Sequence, residues 1–296
     1  GHRPDAGRLL AAFGRAPLVS VRPSSGDPDW GGPGAILNIG MCGAKRDALA
    51  GTLGADAADA LYLRFIMAYA ADVARLDPEP FEQAAELGDG EAVRAALAAY
   101  EDEAEEPFPQ DPARQLSDVL RSMARAWEGT SARLLRQARG APADAGLGLV
   151  VQQMALGMGP GESGAGVIRM IDTVTGARRI TGRYLRQSLY RDALGRRDEA
   201  LYLAQDTRGA SLESEAPDLF DRLTEIAELC RARLREEMEI EFAVESGELR
   251  LLDAVRVPRS ARAEVRVAVS LAEEGILTPA EAVLRVQPRA LPGLLR

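Results

Sequence analysis

Three carboxylates in the last third of the chain are spaced for metal chemistry. Glu239 and Glu241 lie two apart in Glu239-Ile240-Glu241-Phe242-Ala243-Val244. Polar and apolar residues alternate there, which predicts a half-buried strand with both acids on one face. Glu245-Ser246-Gly247 predicts a three-residue hairpin loop, with Leu249-Arg250-Leu251-Leu252-Asp253 as the returning strand. That loop sets 239 opposite 253 and 241 opposite 251, and puts Asp253 on the face of the two glutamates. Carboxylates within roughly 5–8 Å repel unless a cation sits among them. Hard oxygen ligands on adjacent strands suit Mg²⁺ or Mn²⁺ bridging phosphates. Glu239, Glu241 and Asp253 are therefore candidate metal ligands. The alternative is an acidic sheet face that stays hydrated.

Two further features could meet phosphate. Arg22 ends the apolar strand Pro17-Leu18-Val19-Ser20-Val21 just before a Gly/Pro-rich loop, where a guanidinium can grip phosphate with two parallel hydrogen bonds. Alternatively it is one surface arginine among many. The segment Gly157 to Gly166 is rich enough in glycine for backbone N–H groups to approach an anion closely. Its other reading is a flexible hairpin between strands.

Composition removes most other chemistry. His2 is the single histidine, so Ser-His-Asp or Cys-His catalysis and histidine metal sites have no residue to stand on. Lys45 is the single lysine, and Ala44-Lys45-Arg46 is not the Gly-Lys-Ser/Thr of a Walker A loop. Cys42 and Cys230 are too few and too far apart for a disulfide scaffold or a cysteine zinc site, and read as free thiols of a cytoplasmic protein. A net charge of −9 argues against a nucleic-acid partner and a polybasic membrane anchor. No run reaches the roughly 20 apolar residues of a membrane span, and no apolar leader follows Gly1-His2-Arg3-Pro4.

The elements that must position these residues divide the 296 residues into four stretches. Residues 1–54 hold the Arg22 strand, a Gly/Pro loop over 23–34 and a short strand Ala35–Gly40. Residues 55–140 read as helical, with Leu61, Phe65, Ala68 and Tyr69, then Val119, Met123, Ala126 and Trp127, at helical spacing. The acidic run Glu101–Glu106 among them reads as a solvated helix end or loop. Residues 141–257 read as strands from Leu147, Val167 and Ile180, and an amphipathic helix Pro217–Glu237 buried through Leu219, Leu223, Ile226, Leu229 and Leu234. The carboxylate hairpin follows. Residues 258–296 read as a helical tail, with a helix break at Gly275 and a capping box at Thr278-Pro279-Ala280-Glu281. The expected class is α+β.

Taken in order, these features resemble the N-terminal nucleotide-binding region of the pyruvate phosphate dikinase family over nearly all of 15–296. Pro17–Arg22 resembles the family's P-L-L-V-S-V-R, and Ile36-Leu37-Asn38-Ile39-Gly40 its I-L-N-L-G. Arg64-Phe65-Ile66-Met67 resembles R-F-I-Q, and Phe108-Pro109-Gln110-Asp111-Pro112 with Gln115-Leu116 resembles F-P-x-x-P-x-x-Q-L. Val151-Gln152-Gln153-Met154 resembles V-Q-x-M, and Ser163–Val167 resembles S-G-T-G-V. Glu241-Phe242 with Leu251-Leu252 resembles the M-E-F hairpin, and Glu273–Thr278 the E-E-G-x-I-T after it. The resemblance implies an ATP-grasp-like fold, two subdomains with antiparallel sheets around a cleft, and ATP with Mg²⁺ as ligands. It implies Arg22 at the phosphates, as binding and catalytic group, Glu241 at the metal, and Val151, Gln152 and Met154 on the adenine side. The family passes a phosphoryl group from ATP to a histidine on a swivelling domain, and then to pyruvate.

The departures are equally specific. The family's G-G-K-G lysine segment has no counterpart, nor do its phosphohistidine and pyruvate-binding domains. Its D-M-E-F is Glu239-Ile240-Glu241-Phe242, its Q-T-R is Asp253-Ala254-Val255, and its F-T-R-N-P is Arg169-Met170-Ile171-Asp172-Thr173. Its G-E-Y-L is Gly182-Arg183-Tyr184-Leu185, and its N-A-Q-G-E-D is absent from Gln187–Asp192. Losing a lysine and two arginines would cost many orders of magnitude in phosphoryl-transfer rate. Arg169, Arg183 and Lys45 are the residues that could replace them. The expected function is a Mg-nucleotide-binding module with impaired dikinase chemistry, regulatory or pseudoenzymatic, served by a separate protein that carries the missing functions. Two alternatives stay open: an active ATP-dependent phosphotransferase or ligase with a changed acceptor, and a structural domain that binds no nucleotide.

Overall fold

The structure is a computed structural model, and it describes residues 5–26, 30–88, 90–188 and 199–286. The chain forms two compact units, Gly1–Met154 and Ala155–Arg296. Helices and two antiparallel sheets give the α+β class expected. Of the expected features, parts of the 23–34 loop, of the Gln187–Asp192 departure and of the helical tail beyond 286 lie outside the described residues.

In the first unit β1 (Val19–Ser24) is the centre of a three-stranded sheet, between β2 (Ile36–Ile39) and β3 (Gly148–Gln153). Helices fill most of the sequence between β2 and β3. They are α2 (Gly43–Leu53), α3 (Ala55–Ala68), α4 (Glu79–Ala85), α5 (Glu91–Ala104), α6 (Pro112–Glu128) and α7 (Thr130–Ala138), with α1 (Ala6–Ala11) ahead of β1. The helical period was legible here: Leu61, Phe65, Tyr69, Val119, Met123 and Trp127 are all buried. A π-helical turn, Tyr69–Ala74, extends α3. The acidic run after Glu101 is a solvated helix end, where Glu106 pairs with Arg114 at 2.7 Å.

Two of the motifs that carry the resemblance have structural jobs. Gln115 is fully buried, accepts from the Gly40 N–H at 2.8 Å, and donates to the carbonyls of Met41 at 2.8 Å and Pro109 at 2.6 Å. It ties the end of β2 to the segment leading into α6. Asn38 sits at φ 61 and donates to the Leu61 carbonyl, joining β2 to α3.

The second unit is built on a five-stranded sheet in the order β6-β5-β4-β7-β8. The strands are β4 (Gly164–Ile171), β5 (Arg178–Arg186), β6 (Leu201–Tyr202), β7 (Met238–Glu245) and β8 (Glu248–Arg256). The short α8 (Leu212–Glu215) leads into α9 (Pro217–Leu234), and α10 (Ala261–Glu273) and α11 (Pro279–Arg285) follow β8. One face of the sheet packs Ile168, Met170, Tyr184, Ile240, Phe242 and Val244 against Leu219, Phe220, Leu223 and Ala227 of α9. Thr278 and Glu281 make the capping box expected at the start of α11.

The buried stripe of α9 differs from the expected one. Leu229 and Leu234 are about half exposed, and the stripe runs Leu219, Leu223, Ala227, Arg231. An arginine completes it because two acids neutralise it. The Arg231 Nε–H donates to Glu237 at 2.5 Å, and its Nη groups donate to Glu274 at 2.7 and 2.9 Å. A second buried cation, Arg259, lies between Glu236 at 2.8 Å and Glu264 at 2.5 Å, and Arg285 reaches Glu236 at 2.9 Å.

These pairs predict an acid limit to stability. Burial works against the charge of Glu236, but the hydrogen bond and charge of Arg259 outweigh it and hold its carboxyl below the ordinary 4.5. Glu274 is held low by its hydrogen bonds from Arg231. With folded-state values depressed, this stabilisation is complete above the unfolded value and is lost as pH falls through the folded one. The urea midpoint should be level from about pH 7 to about pH 5 and fall below about 4.5. A midpoint still level at about pH 3 would contradict the pairing.

Gly182 is closely packed within the sheet. It sits at φ +142 opposite Ile168, and a Cβ there would lie 1.9 Å from the Val167 carbonyl oxygen and 2.9 Å from Leu203. Backbone cannot yield as a flexible side chain can. Gly182→Ala should therefore cost about 3 kcal/mol in urea unfolding, the upper range for overpacking. An unchanged midpoint would refute the close approach.

Candidate functional site

The carboxylate hairpin forms, with a register other than the expected one. Glu245 pairs with Glu248, so the loop is the two residues Ser246 and Gly247, at φ 51 and 82. Positive φ at both positions is the primed turn whose twist matches a hairpin. A two-residue loop by itself would send Asp253 to the opposite face. A bulge at Leu252 inserts one extra residue and restores the phase, so Glu241 pairs directly with Asp253 and Glu239 with Val255. Glu239, Glu241 and Asp253 therefore do share a face, reached by a different pairing.

That face can be read row by row. The pairings Tyr202–Arg183, Arg183–Val167, Val167–Glu241 and Glu241–Asp253 run across all five strands. One row along lie Arg169 and Glu239, paired across β4 and β7. In the other direction Ala165 and Ala243 are buried, with Ala155 and the bulge residue Leu252 packed on them. The face thus grades from apolar through an acid pair to an ion pair. Glu241 is 9% exposed.

The sequence had left three cations open as replacements, and their positions now separate them. Arg169 donates its Nε–H to Glu239 Oε2. The Arg183 guanidinium lies 3.5 Å from the centre of the Tyr202 ring and donates to the Ala200 carbonyl at 3.1 Å. Lys45, in the first unit, donates to the Ala16 carbonyl at 2.8 Å. Of these three, among the described residues, Arg169 is the one paired with an acid of the hairpin. Nothing in sequence spacing could show this, because residues 169 and 239 meet through sheet register alone.

Among the described residues, no group of three or more His, Cys, Asp or Glu side chains is gathered to hold a metal ion. Two carboxylates directly opposite, Glu241 and Asp253, still fit Mg²⁺, which takes one or two protein carboxylates and completes its shell with water and phosphate oxygens. Glu239 accepts from Arg169, and Glu241 and Asp253 have partners of their own.

The glycine-rich segment is not a hairpin. It leads from β3 to β4, which belong to different sheets. The Gly159 N–H donates to the Gln187 side chain at 3.0 Å, and the Gly157 carbonyl accepts from the Ser188 N–H at 3.1 Å. Glu162 accepts from Tyr184 at 2.8 Å and from Arg186 at 3.0 Å. These hydrogen bonds fasten the segment to β5 and to the residues after it.

In the first unit, β1 and β3 bring Arg22 beside the V-Q-x-M strand. Arg22 pairs with Val150, Val21 with Val151 and Ser20 with Gln152. Gln152 shares a face with Arg22, and Val151 lies on the other face with the buried Val21. The Met154 N–H donates to the Leu18 carbonyl at 2.9 Å, just past the end of β3.

No family model matches the chain. Pyruvate, phosphate dikinase of Rhizobium meliloti (strain 1021) is 30% identical to it over 316 residues, covering 98% of this chain and 35% of that protein. The chain is a relative of the pyruvate, phosphate dikinases. The Clostridium symbiosum dikinase is 30% identical over 190 residues, which cover 64% of this chain and 21% of that protein. The chloroplastic dikinase 1 of Zea mays is 27% identical over 190 residues. The chain thus spans about a third or less of the curated dikinases it matches.

Proposed function

We propose that the chain is a Mg-nucleotide-binding module of the pyruvate, phosphate dikinase kind, ATP-grasp-like, in which Glu241 and Asp253 hold the metal. Arg22 takes phosphate, and Val151, Gln152 and Met154 serve the adenine. The observation that carries the reading is the direct cross-strand pairing of Glu241 with Asp253, on a chain similar to dikinases over nearly all its length. Bound Mg²⁺ supplies charge neutralisation of the phosphates. The protein's own part is to present two oxygen ligands from a rigid hairpin, so that little ordering remains for the moment of binding.

Dikinase turnover is expected to be impaired. The cations that would stabilise a transferring phosphoryl group are replaced at Ile171 and Val255, and phosphoryl transfer depends mostly on such groups. Calorimetric titration of ATP into the full chain, with and without Mg²⁺, tests the reading. Micromolar binding that requires Mg²⁺, without ATP consumption, is the expected result. Sustained ATP hydrolysis or transfer would favour an active phosphotransferase instead. No heat at millimolar ATP from folded protein would leave a structural domain.

A further inference from the structure

We infer that Arg169 is a phosphate-binding residue of this site and that Glu239 positions it, rather than ligating metal. The inference rests on the nucleotide reading above and assigns two of its groups. Arg169 and Glu239 are directly paired across β4 and β7, with the Arg169 Nε–H donated to Glu239 Oε2. Their side chains are 31% and 17% exposed, so the pair sits at the edge of solvent, in reach of a ligand. An arginine has five N–H donors in a planar fork. Here one is bound to the carboxylate, and the two Nη groups have no partner among the described residues. An arginine anchored through Nε, with its Nη groups unengaged among the described residues, is arranged to receive a second anion.

The position suits phosphate. Successive residues on one face of a strand lie about 7 Å apart. The Arg169–Glu239 row is therefore about one row from Glu241 and Asp253. A metal on that acid pair would put the oxygens of a bound di- or triphosphate within reach of the guanidinium. The competing cation on this face, Arg183, is committed to the Tyr202 ring and the Ala200 carbonyl. Glu239 cannot easily serve as a metal ligand as well, because a cation entering beside it would have to displace or repel Arg169. Its charge instead fixes the rotamer of the arginine and cancels part of the repulsion it would exert on phosphate.

The test titrates ATP and adenosine, each with Mg²⁺, into the wild-type 296-residue chain, Arg169→Met, Arg169→Lys and the double variant R169M/E239Q. Removing both partners of the pair keeps the double variant from stranding a carboxylate, and circular dichroism establishes that each variant is folded. Loss of charge-assisted hydrogen bonds should weaken ATP about ten- to a hundredfold in Arg169→Met and in the double variant. Adenosine affinity should be unchanged, and Arg169→Lys should recover only part of the loss. In parallel, Mn²⁺ binding followed by electron paramagnetic resonance should survive Glu239→Gln and fail in Glu241→Gln. Wild-type ATP affinity in Arg169→Met, an equal loss for adenosine, or loss of Mn²⁺ in Glu239→Gln would each overturn the assignment while leaving the nucleotide reading intact. A wild type that binds neither ATP nor Mn²⁺ would remove both.

Discussion

Arg231→Met should lower the unfolding free energy by about 3 kcal/mol or more, among the largest effects of any single substitution in the second unit. Arg231 and Glu237 have side chains 3% and 1% exposed, so neither can recover hydration when its partner goes. Glu237 already has one buried oxygen without a hydrogen-bond partner. Truncating the arginine would take the donor from its other oxygen and one neighbour from Glu274. Arg178, 3.6 Å from Glu237, softens the loss and sets the expectation near the lower end of the range for broken buried pairs. Urea unfolding with an unchanged slope is the measurement. The double variant R231M/E237Q should recover much of the stability, because removing both charges leaves none buried alone. If Arg231→Met and the double variant were equally destabilised, packing of the arginine stem would be the cause instead.

Glu241→Gln should weaken Mg²⁺-dependent ATP binding by more than about a hundredfold. Groups that merely orient a metal ligand already cost about 10- to 100-fold when changed, and Glu241 is proposed as a ligand itself. Glutamine keeps the shape of the side chain in its nearly buried position on β7, so folding should be little affected. Asp253→Asn should act in the same direction, since it stands directly opposite. Calorimetry with Mg²⁺, compared with adenosine as a ligand lacking phosphates, separates loss of the metal from loss of the pocket. ATP affinity unchanged in Glu241→Gln would remove the hairpin from the site.

Much of this was legible in the sequence, for identifiable reasons. Local periodicity placed the helices from Ala55 to Ala138, and a hydroxyl, a proline and an acid in succession placed the cap at Thr278. The shared face of Glu239, Glu241 and Asp253 was also expected, but through two errors that offset each other. Glu245-Ser246-Gly247 accommodates a loop of two or of three residues, and nothing in Leu251-Leu252 announces a bulge. Pairings between distant strands were out of reach. Strand β3 joins β1 rather than β4, so the glycine segment after it could not be a hairpin. Arg231 was missed as a core residue because its burial depends on Glu237 and on Glu274, forty-three residues away. For the same reason Arg169 was one of three equal possibilities until strand register placed it against Glu239.

The bulge at Leu252 makes the acid face depend on the length of the chain as much as on its residues. Deleting Leu252 would merely straighten the strand and leave Asp253 opposite Glu241, whereas adding one residue to β8 between Glu248 and Leu252, with one bulge kept and no change to any acid, would exchange inside for outside along the end of β8. Asp253 would then turn toward the layer of Ile240 and Phe242, while a leucine took its place beside Glu241. The hairpin can drift freely in composition at its exposed turn and can lose its bulge residue, but a residue added within the strand needs a compensating change, which makes spacing the more durable signature by which to recognise such a face in other chains.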